Sequence, residues 1–279
     1  MKSDGGYMRL NKNMYSMNIY NNYKNKLSKN SAAMNNISSG LKLNKAKDNA
    51  NKIQQSESLK IQVRSNSAAQ KNVQDTASMI QTFDSAMSEI NNSLSRMKEL
   101  TVQAGNDTMT ESDRNSIQME IDALTEHITY TAENTEFNSV KLLNKDGSIE
   151  TMIGAFEEET IEIPKVNLTA ESLGIGDMNV LDSKNIDNYN SAVNDAIVIV
   201  SSARSRIGAI QSRLEESYDN ISENNTVLEK SQSRIADADI AQEMLKFSET
   251  QILIQSSISL MAQSNKLPQD ALQILSNIK

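Results

Sequence analysis

The sequence predicts a mostly α-helical protein, built as an elongated antiparallel helical bundle or coiled coil with a small β-hairpin region. Three observations support this fold class. The 279 residues include 9 Gly and 2 Pro, so helices can continue for many turns without a breaker. Aromatic residues make up 4% and Trp is absent, which leaves little material for a thick globular core. Apolar residues instead recur at heptad spacing, which is typical of helices packed along a narrow seam.

The chain begins and ends in amphipathic segments, residues 9–45 and 240–279, which are predicted to be helical arms. Neither arm has enough apolar surface left to pack against once the central bundle is complete. Two compatible alternatives stay open: the arms pair with each other within one molecule, or they also pair with copies of themselves. The apolar residues expected to carry this pairing are Ile37, Leu41, Leu43, Leu253, Ile254, Ile258, Leu260, Met261, Leu272 and Leu275.

A long helix is predicted after the first arm, because neither Gly nor Pro occurs from Leu41 to Ala104. About 60 residues at 1.5 Å per residue would give a helix roughly 90 Å long. Gly105 is expected to end it, since glycine readily takes the left-handed conformation that closes a helix. The apolar seam alternates steps of three and four residues: Val73, Thr76, Ile80, Phe83, Met87, Ile90, Leu94 and Met97.

The middle of the chain predicts a shorter helix followed by a hairpin. Residues 110–113 offer capping side chains, and apolar residues follow at helical spacing. Residues 149–153 and 160–163 alternate apolar and polar side chains, which is typical of strands. We expect these strands to form a β insert within 145–180. The seam of the shorter helix consists of Ile117, Ile121, Leu124 and Ile128.

A second long helix is predicted from near Tyr189, and its seam is imperfect because several heptad partners are polar. The chain is therefore expected to fold back on itself and to bring both termini to the same end. This gives an N-terminal arm at 1–45, a helical bundle at 46–239 and a C-terminal arm at 240–279. The seam residues of the second long helix are Val193, Ile197, Val200, Ala203, Ile207, Ile210 and Leu214.

The net charge of −8 argues against nucleic-acid binding, which needs a basic stripe. No window approaches the ~18 consecutive apolar residues of a membrane span, and the N-terminus lacks the apolar region of a secretory signal. We therefore expect neither a nucleic-acid partner nor a membrane partner. Cys is absent, so disulfides and thiolate metal sites are excluded.

Catalytic chemistry has little support in the sequence. His127 is the single histidine, and it lacks the second His of a zinc-protease helix motif. No phosphate-binding loop, nucleophile elbow or dinucleotide fingerprint is present. We expect His127 to be an ordinary helix residue, and we predict no catalytic residues, no cofactor and no metal site.

Several motifs resemble those of the bacterial flagellin family. The string ISSGLKLNKAKDNA at 37–50 is similar to the family's N-terminal signature LSSGLRINSAKDDAA, and RIGAIQSRL at 206–214 is similar to its C-terminal LGAxQNRL. The similarity extends in order over roughly residues 8–145 and 189–279. Further similar blocks are at 90–104, 136–143, 233–241 and 261–269.

The resemblance implies a structural subunit, with no enzymatic activity, that self-assembles into an extracellular flagellar filament for motility. It implies that the terminal arms form the inner tube, called D0, and are disordered in the free monomer. The helices and hairpin would form the outer tube, D1, and the usual outer domains D2 and D3 are missing here. It further implies export through the flagellar type III apparatus and three partners besides sister copies: an export chaperone, a filament cap protein and hook-junction proteins.

One departure from the family concerns the start of the chain. Flagellins commonly begin M-R-I-N-x-N, and the matching residues here are 8–13, preceded by seven others. The resemblance therefore predicts that Met8 is the natural start, or that residues 1–7 are an artefact of expression or gene assignment.

The resemblance also points to a surface of D1. Arg96, Leu100 and Glu120 match positions through which some flagellins engage a Toll-like receptor of animal hosts. The alternative interpretation is a helix face that serves contacts between subunits, and we favour it as the reason for these residues.

Two rival functions remain at the level of sequence. A hook–filament junction protein is also built of paired terminal helices, although the blocks at 206–214 and 233–241 favour flagellin. A cytoplasmic coiled-coil scaffold is the rival from a different class of protein.

Overall fold

The computed structural model describes residues 13–155, 158–181 and 185–277, excluding the side chains of 271, 272 and 275–277. The described chain is mostly helical and has one two-stranded antiparallel sheet, which confirms the predicted fold class. The elements are α1 (Met14–Ser39), α2 (Ala50–Ala104), α3 (Glu111–Asn134), β1 (Gly147–Met152), β2 (Thr160–Lys165), α4 (Ile186–Ala236) and α5 (Ile240–Asn277).

The chain divides into two compact units. One unit contains Met1–Lys60 together with Glu229–Lys279, and the other is Ile61–Leu228. Both divisions fall inside long helices, α2 and α4. The expected limits of the arms at residues 45 and 240 stay predictions, because compactness does not show which segments become ordered on assembly.

The heptad of α2 forms one side of the core of the unit Ile61–Leu228. All eight predicted seam residues, from Val73 to Met97, are buried. The helix ends at Ala104, and the Gly105 amide donates to the Thr101 carbonyl at 3.2 Å. The predicted seam and the predicted end of this helix are therefore confirmed, although Gly105 closes the helix without the positive φ expected of it.

Helix α2 begins at Ala50 and has 55 residues, slightly fewer than the roughly 60 expected from the stretch without Gly or Pro. The connecting residues use their backbone donors elsewhere. The Lys42 amide donates to the Ala236 carbonyl at 2.8 Å, and the Lys45 amide donates to the Asp48 carboxylate at 2.8 Å. The absence of Gly and Pro permits a helix here, but these competing acceptors hold a turn instead.

Helix α3 begins with a reciprocal capping box. The Thr110 hydroxyl accepts from the Asp113 amide at 3.3 Å, and the Thr110 amide donates to the Asp113 carboxylate at 3.2 Å. Hydrogen bonds from the Thr110 hydroxyl and amide lower the pKa of Asp113. Of the predicted seam, Ile117, Ile121 and Ile128 are buried and Leu124 is half-buried.

The predicted hairpin is confirmed. Strands β1 and β2 pair antiparallel, from Gly147 opposite Lys165 to Met152 opposite Thr160. Ile161 and Ile163 point into the core, while alternate residues of β2 are exposed, so one face of the hairpin covers the helices.

The segment that follows the hairpin contributes to the core without forming a helix or strand. Its buried side chains include Leu168, Ile175 and Val180. The side chain of Gln118 on α3 holds it: Nε2 donates to the Met178 carbonyl, and Oε1 accepts from the Val180 amide, both at 2.8 Å. The Gln118 side chain thus makes the hydrogen bonds to the backbone that a neighbouring strand would make in a sheet.

Replacing Gln118 with Ala should lower the free energy of unfolding by about 1–2 kcal/mol, because two backbone groups lose their partners. Urea unfolding followed by circular dichroism measures this change. Gln103→Ala, at an exposed position of α2, is the matched control and should change the stability by less than about 0.5 kcal/mol. Equal stabilities for the two variants would contradict the role of Gln118.

Helix α4 is the third helix of this core. Val193, Val200 and Leu214 are fully buried, whereas Leu228 is half-buried near the end of the unit. The Arg204 guanidinium binds the Asp84 carboxylate of α2 at 2.9 Å, which raises the pKa of Arg204. Both side chains are partly exposed, so this ion pair contributes little to the free energy of unfolding.

Candidate functional site

Helices α1 and α5 form an antiparallel pair in the unit that holds both ends of the chain. Helix α1 begins after Asn13, whose Oδ1 accepts from the Ser16 amide at 3.2 Å, and ends at Gly40 with a positive φ of 71°. Helix α5 begins after Asp239, whose carboxylate accepts from the Gln242 amide at 3.2 Å. It continues without interruption through Pro268.

The seam between α1 and α5 is unusually polar. Among the described side chains of these two helices, the buried ones are Ala33, Glu243, Thr250 and Ser264. Partly buried apolar residues, including Phe247 and Ile254, lie between the three polar positions of α5. The core of this pair is therefore thin, and hydrogen bonds occupy much of it.

Three asparagines, the N-cap of α1 and two residues within it, donate across the seam. Asn13 Nδ2 donates to the carbonyl and the hydroxyl of Ser264 at 2.9 and 3.1 Å. Asn30 Nδ2 donates to the Phe247 carbonyl at 3.2 Å and to the Thr250 hydroxyl at 3.0 Å. Asn36 Nδ2 lies 3.5 Å from the Glu243 carboxylate. We refer to these three asparagines and their partners as the polar ladder.

The outer face of α5 carries the apolar side chains that the seam lacks. Five of them recur at steps of seven or eight residues, close to two helical turns, so they line one side of the helix. Their exposed fractions lie between 51% and 72%. We refer to them as the apolar stripe: Leu245, Ile252, Leu260, Leu267 and Ile274.

The predicted arm residues fall on different faces. Ile37, Leu43, Leu253, Ile254 and Met261 are half-buried, while Ile258 and Leu260 are about half exposed. Leu41 is exposed at the end of α1, where it pairs with Asp237 in an isolated bridge. The side chains of Leu272 and Leu275 lie outside the described residues, as do residues 1–12 with the predicted start at Met8.

Sequence reasoning did not find two features of this pair. The polar ladder was missed because the heptad search followed apolar residues, and because Asn30 and Asn36 are six residues apart, outside the alternation of three and four. The apolar stripe was not separated from the seam because both run along α5 at intervals near seven residues. A test for two heptads on one helix would have distinguished them.

Of the three residues predicted for the D1 surface, two lie together on the outside of the helices. Arg96 Nε donates to the Glu120 carboxylate at 2.9 Å and Nη1 donates to that of Glu99 at 3.1 Å. These hydrogen bonds, the one to Glu120 first, raise the pKa of Arg96. Leu100 is 2% exposed and faces the core, so its side chain is not part of that surface.

His127 joins α3 to α2. Its Nε2 lies 3.2 Å from the Glu89 carboxylate, and its Nδ1 lies 3.5 Å from the Ser93 hydroxyl. The described residues contain no group of three His, Asp or Glu side chains arranged for a metal ion. Among the same residues, no helix is both long enough and apolar enough to cross a membrane.

Comparison with protein families gives two matches, one toward each end of the chain. Residues 10–148 match the bacterial flagellin N-terminal helical region, and residues 190–275 match the bacterial flagellin C-terminal helical region. Together they include α1 to α3 and nearly all of α4 and α5.

Three relatives are similar over nearly the whole chain. A flagellin of Halalkalibacterium halodurans and one of Bacillus subtilis are each 36% identical, and each alignment covers 96% of this chain and all of the relative. A flagellar filament core protein of Brachyspira hyodysenteriae is 33% identical with the same coverage.

One solved structure supports the fold alone. A Vibrio parahaemolyticus chain, named as a flagellar hook-associated protein, superimposes with a TM-score of 0.58 at 15% identity, covering 68% of this chain and 100% of that chain.

Proposed function

The chain belongs to the bacterial flagellin family and is a structural subunit of the flagellar filament, and from this premise we propose that it assembles by coupled folding of its two arms. In this proposal residues 1–45 and 240–279 form the inner tube and become ordered only beside sister copies. Residues 46–239 form the outer tube and fold before assembly.

The distribution of buried apolar side chains supports a central segment that folds first and arms that fold on assembly. In the described chain they lie between Ala69 and Ile221, apart from two alanines, Ala33 and Ala236. Ordering a residue costs about 1–2 kcal/mol of backbone entropy. Among the described side chains of α1 and α5, the single buried apolar residue is Ala33, which offsets little of this cost, so the pair needs further surface to be stably folded.

The apolar stripe supplies such a surface. Fully burying a side chain of the size of Leu or Ile stabilises by roughly 1.5–3 kcal/mol. Five exposed residues of this type along one line of α5 offer a sister copy a continuous strip. The proposed contact is therefore between the apolar stripe of one chain and the arms of its neighbours.

Charges placed on the stripe should prevent assembly. The double variant Ile252→Asp and Leu267→Asp should raise the critical concentration for polymerisation at least about 100-fold, because burying unpaired carboxylates costs several kcal/mol. Sedimentation of filaments from a concentration series measures it.

Gln251→Asp with Asn265→Asp is the matched control, since it adds the same charge at exposed polar positions away from the stripe. This control should polymerise at close to the normal concentration. Normal polymerisation of the stripe variant would refute the proposed contact.

The remaining partners follow from the same surface. An exposed apolar strip on a long helix promotes aggregation before assembly. We propose that an export chaperone covers α5 until the chain leaves through the flagellar type III apparatus, and that a cap protein and hook-junction proteins contact the arms at the filament ends. The family's filaments place this subunit in the extracellular flagellum.

A host receptor is a second proposed partner, through the exposed Arg96 and Glu120 pair. Arg96→Ala with Glu120→Ala should raise the concentration of monomer that half-activates a Toll-like receptor reporter by about tenfold, equivalent to about 1.4 kcal/mol of binding free energy. Glu57→Ala with Lys60→Ala, which removes another exposed ion pair of α2, should signal normally. Unchanged signalling by the Arg96 and Glu120 variant would refute the receptor contact. Contacts between subunits would then be the role of this face.

A further inference from the structure

The polar ladder is placed where a helix pair usually carries its strongest apolar contacts. An apolar seam tolerates a slip by one heptad, because Leu and Ile replace one another at similar cost. A polar group in a seam loses its partner when the helices slip, and its desolvation then opposes the slipped state. The composition of the α1–α5 seam therefore favours a unique register over maximal stability.

Two asparagines of the ladder bind carbonyls at matching spacing along α5. Asn13 and Asn30 are 17 residues apart on α1, and the carbonyls that they bind, Ser264 and Phe247, are 17 residues apart on α5. Each asparagine also binds a hydroxyl, of Ser264 or of Thr250. Each of the two asparagines therefore donates to one carbonyl and one hydroxyl of α5, and the equal 17-residue spacing defines one register. The hydroxyl belongs to the carbonyl's own residue at Asn13 and to the residue three positions later at Asn30.

The chemistry of the side chains is specific to asparagine. At Asn13 the carbonyl oxygen caps α1, and the amide group donates to Ser264. Asp, Ser or Thr would cap the helix equally well but would not supply two amide hydrogens across the seam. At Asn30 the amide group reaches two acceptors of α5.

Slips in both directions break the ladder. A shift of seven residues toward the start of α5 would take the partner of Asn36 beyond Ile240, where the helix begins. A shift of seven residues the other way would replace Ser264 by Ala271 opposite Asn13, which removes the hydroxyl. The observed register is the one that satisfies all three asparagines.

We infer that Asn13, Asn30 and Asn36 are register-setting residues, which fix how α1 and α5 align and so hold the apolar stripe at one height along the pair. The inference concerns pairing within one chain and stands whether or not the stripe contacts neighbours. A slip of one heptad would displace the stripe by about 10 Å along α1, and a lattice of identical subunits would not accept that displacement.

Distances between two spin labels test the register directly. The chain has no Cys, so Ser28→Cys and Gln263→Cys, at exposed positions of α1 and α5, can be labelled selectively. Labelled chains are diluted into a large excess of unlabelled wild-type chains and polymerised, so each measured distance lies within one chain. Because the labels are offset along the pair, a slip of one heptad changes their distance by up to about 10 Å.

The wild-type background should give a single distance. Asn13→Leu with Asn30→Leu should give at least one further population, displaced by up to about 10 Å. Asn18→Leu with Asn35→Leu, which have the same 17-residue spacing but are exposed, should keep the single distance. If the double seam variant does not enter filaments, Asn30→Leu alone carries the test.

A single unchanged distance in the seam variants would overturn the inference. Failure of the stripe as a subunit contact would appear separately, as normal polymerisation of the Ile252 and Leu267 variant. The two experiments therefore distinguish the register of the pair from the surface that it presents.

Discussion

Deleting residues 240–279 should abolish filament formation and leave a chain that is still helical. The deletion removes α5, and with it both the apolar stripe and the partner of α1. The buried apolar core between Ala69 and Ile221 is untouched, so α2, α3 and α4 should keep their helices. Negative-stain electron microscopy should show no filaments at concentrations where the full chain polymerises.

Two measurements complete this test. Circular dichroism of the truncated chain should show a cooperative thermal transition, because the central core still unfolds as a unit. Mixing experiments should show that the truncated chain does not enter filaments of the full chain. Filaments formed from the truncated chain alone would refute the assignment of assembly to the C-terminal arm.

Replacing Phe83 with Ala should destabilise the central unit by about 3–5 kcal/mol. Phe83 is 1% exposed within the α2 heptad, and its truncation leaves a cavity because the surrounding core relaxes only in part. Urea unfolding followed at 222 nm, the usual helix wavelength, measures the change as a lower midpoint.

Val102→Ala is the control for this substitution. Val102 lies on the same helix but is 56% exposed, so its truncation should change stability by less than about 0.5 kcal/mol. A loss of under about 1 kcal/mol for Phe83→Ala would show that the α2 heptad is not the centre of the core.

The heptad of α2 and the hairpin could be predicted because their signals are local. The eight seam positions from Val73 to Met97 follow one periodicity, and all of them are buried. Apolar and polar residues alternate along both strands, and seven residues, 153–159, separate them. Local patterns of this strength predict the same element whatever the tertiary contacts are.

The connection between α1 and α2 could not be predicted in this way. Nothing in residues 41–49 disfavours a helix strongly, and the turn there depends on the Ala236 carbonyl, almost two hundred residues away in sequence. Similarly, the buried segment around Leu168 and Ile175 depends on Gln118, whose side chain has no sequence signature. Tertiary hydrogen bonds decided these conformations.

The sequence predicted which segments form the candidate site, but not which of their side chains face outward. Amphipathic arms were evident from composition, yet the choice between an inward and an outward apolar face needs the partner helix. On α5 the polar positions Thr250 and Ser264 face α1, while Leu245 and Leu267 face away. The usual expectation that apolar residues occupy the intramolecular seam is reversed there.

Hydrogen exchange of the full chain, as purified monomer and as filament, tests coupled folding most directly. In the monomer, amides of α1 and α5 should exchange at close to the rates of an unfolded chain, while those of α2 between Val73 and Met97 are protected. In the filament, α1 and α5 should gain protection of at least about 100-fold. Strong protection of both arms in a chain that remains monomeric would contradict the account, because the arms would then be complete without sister copies.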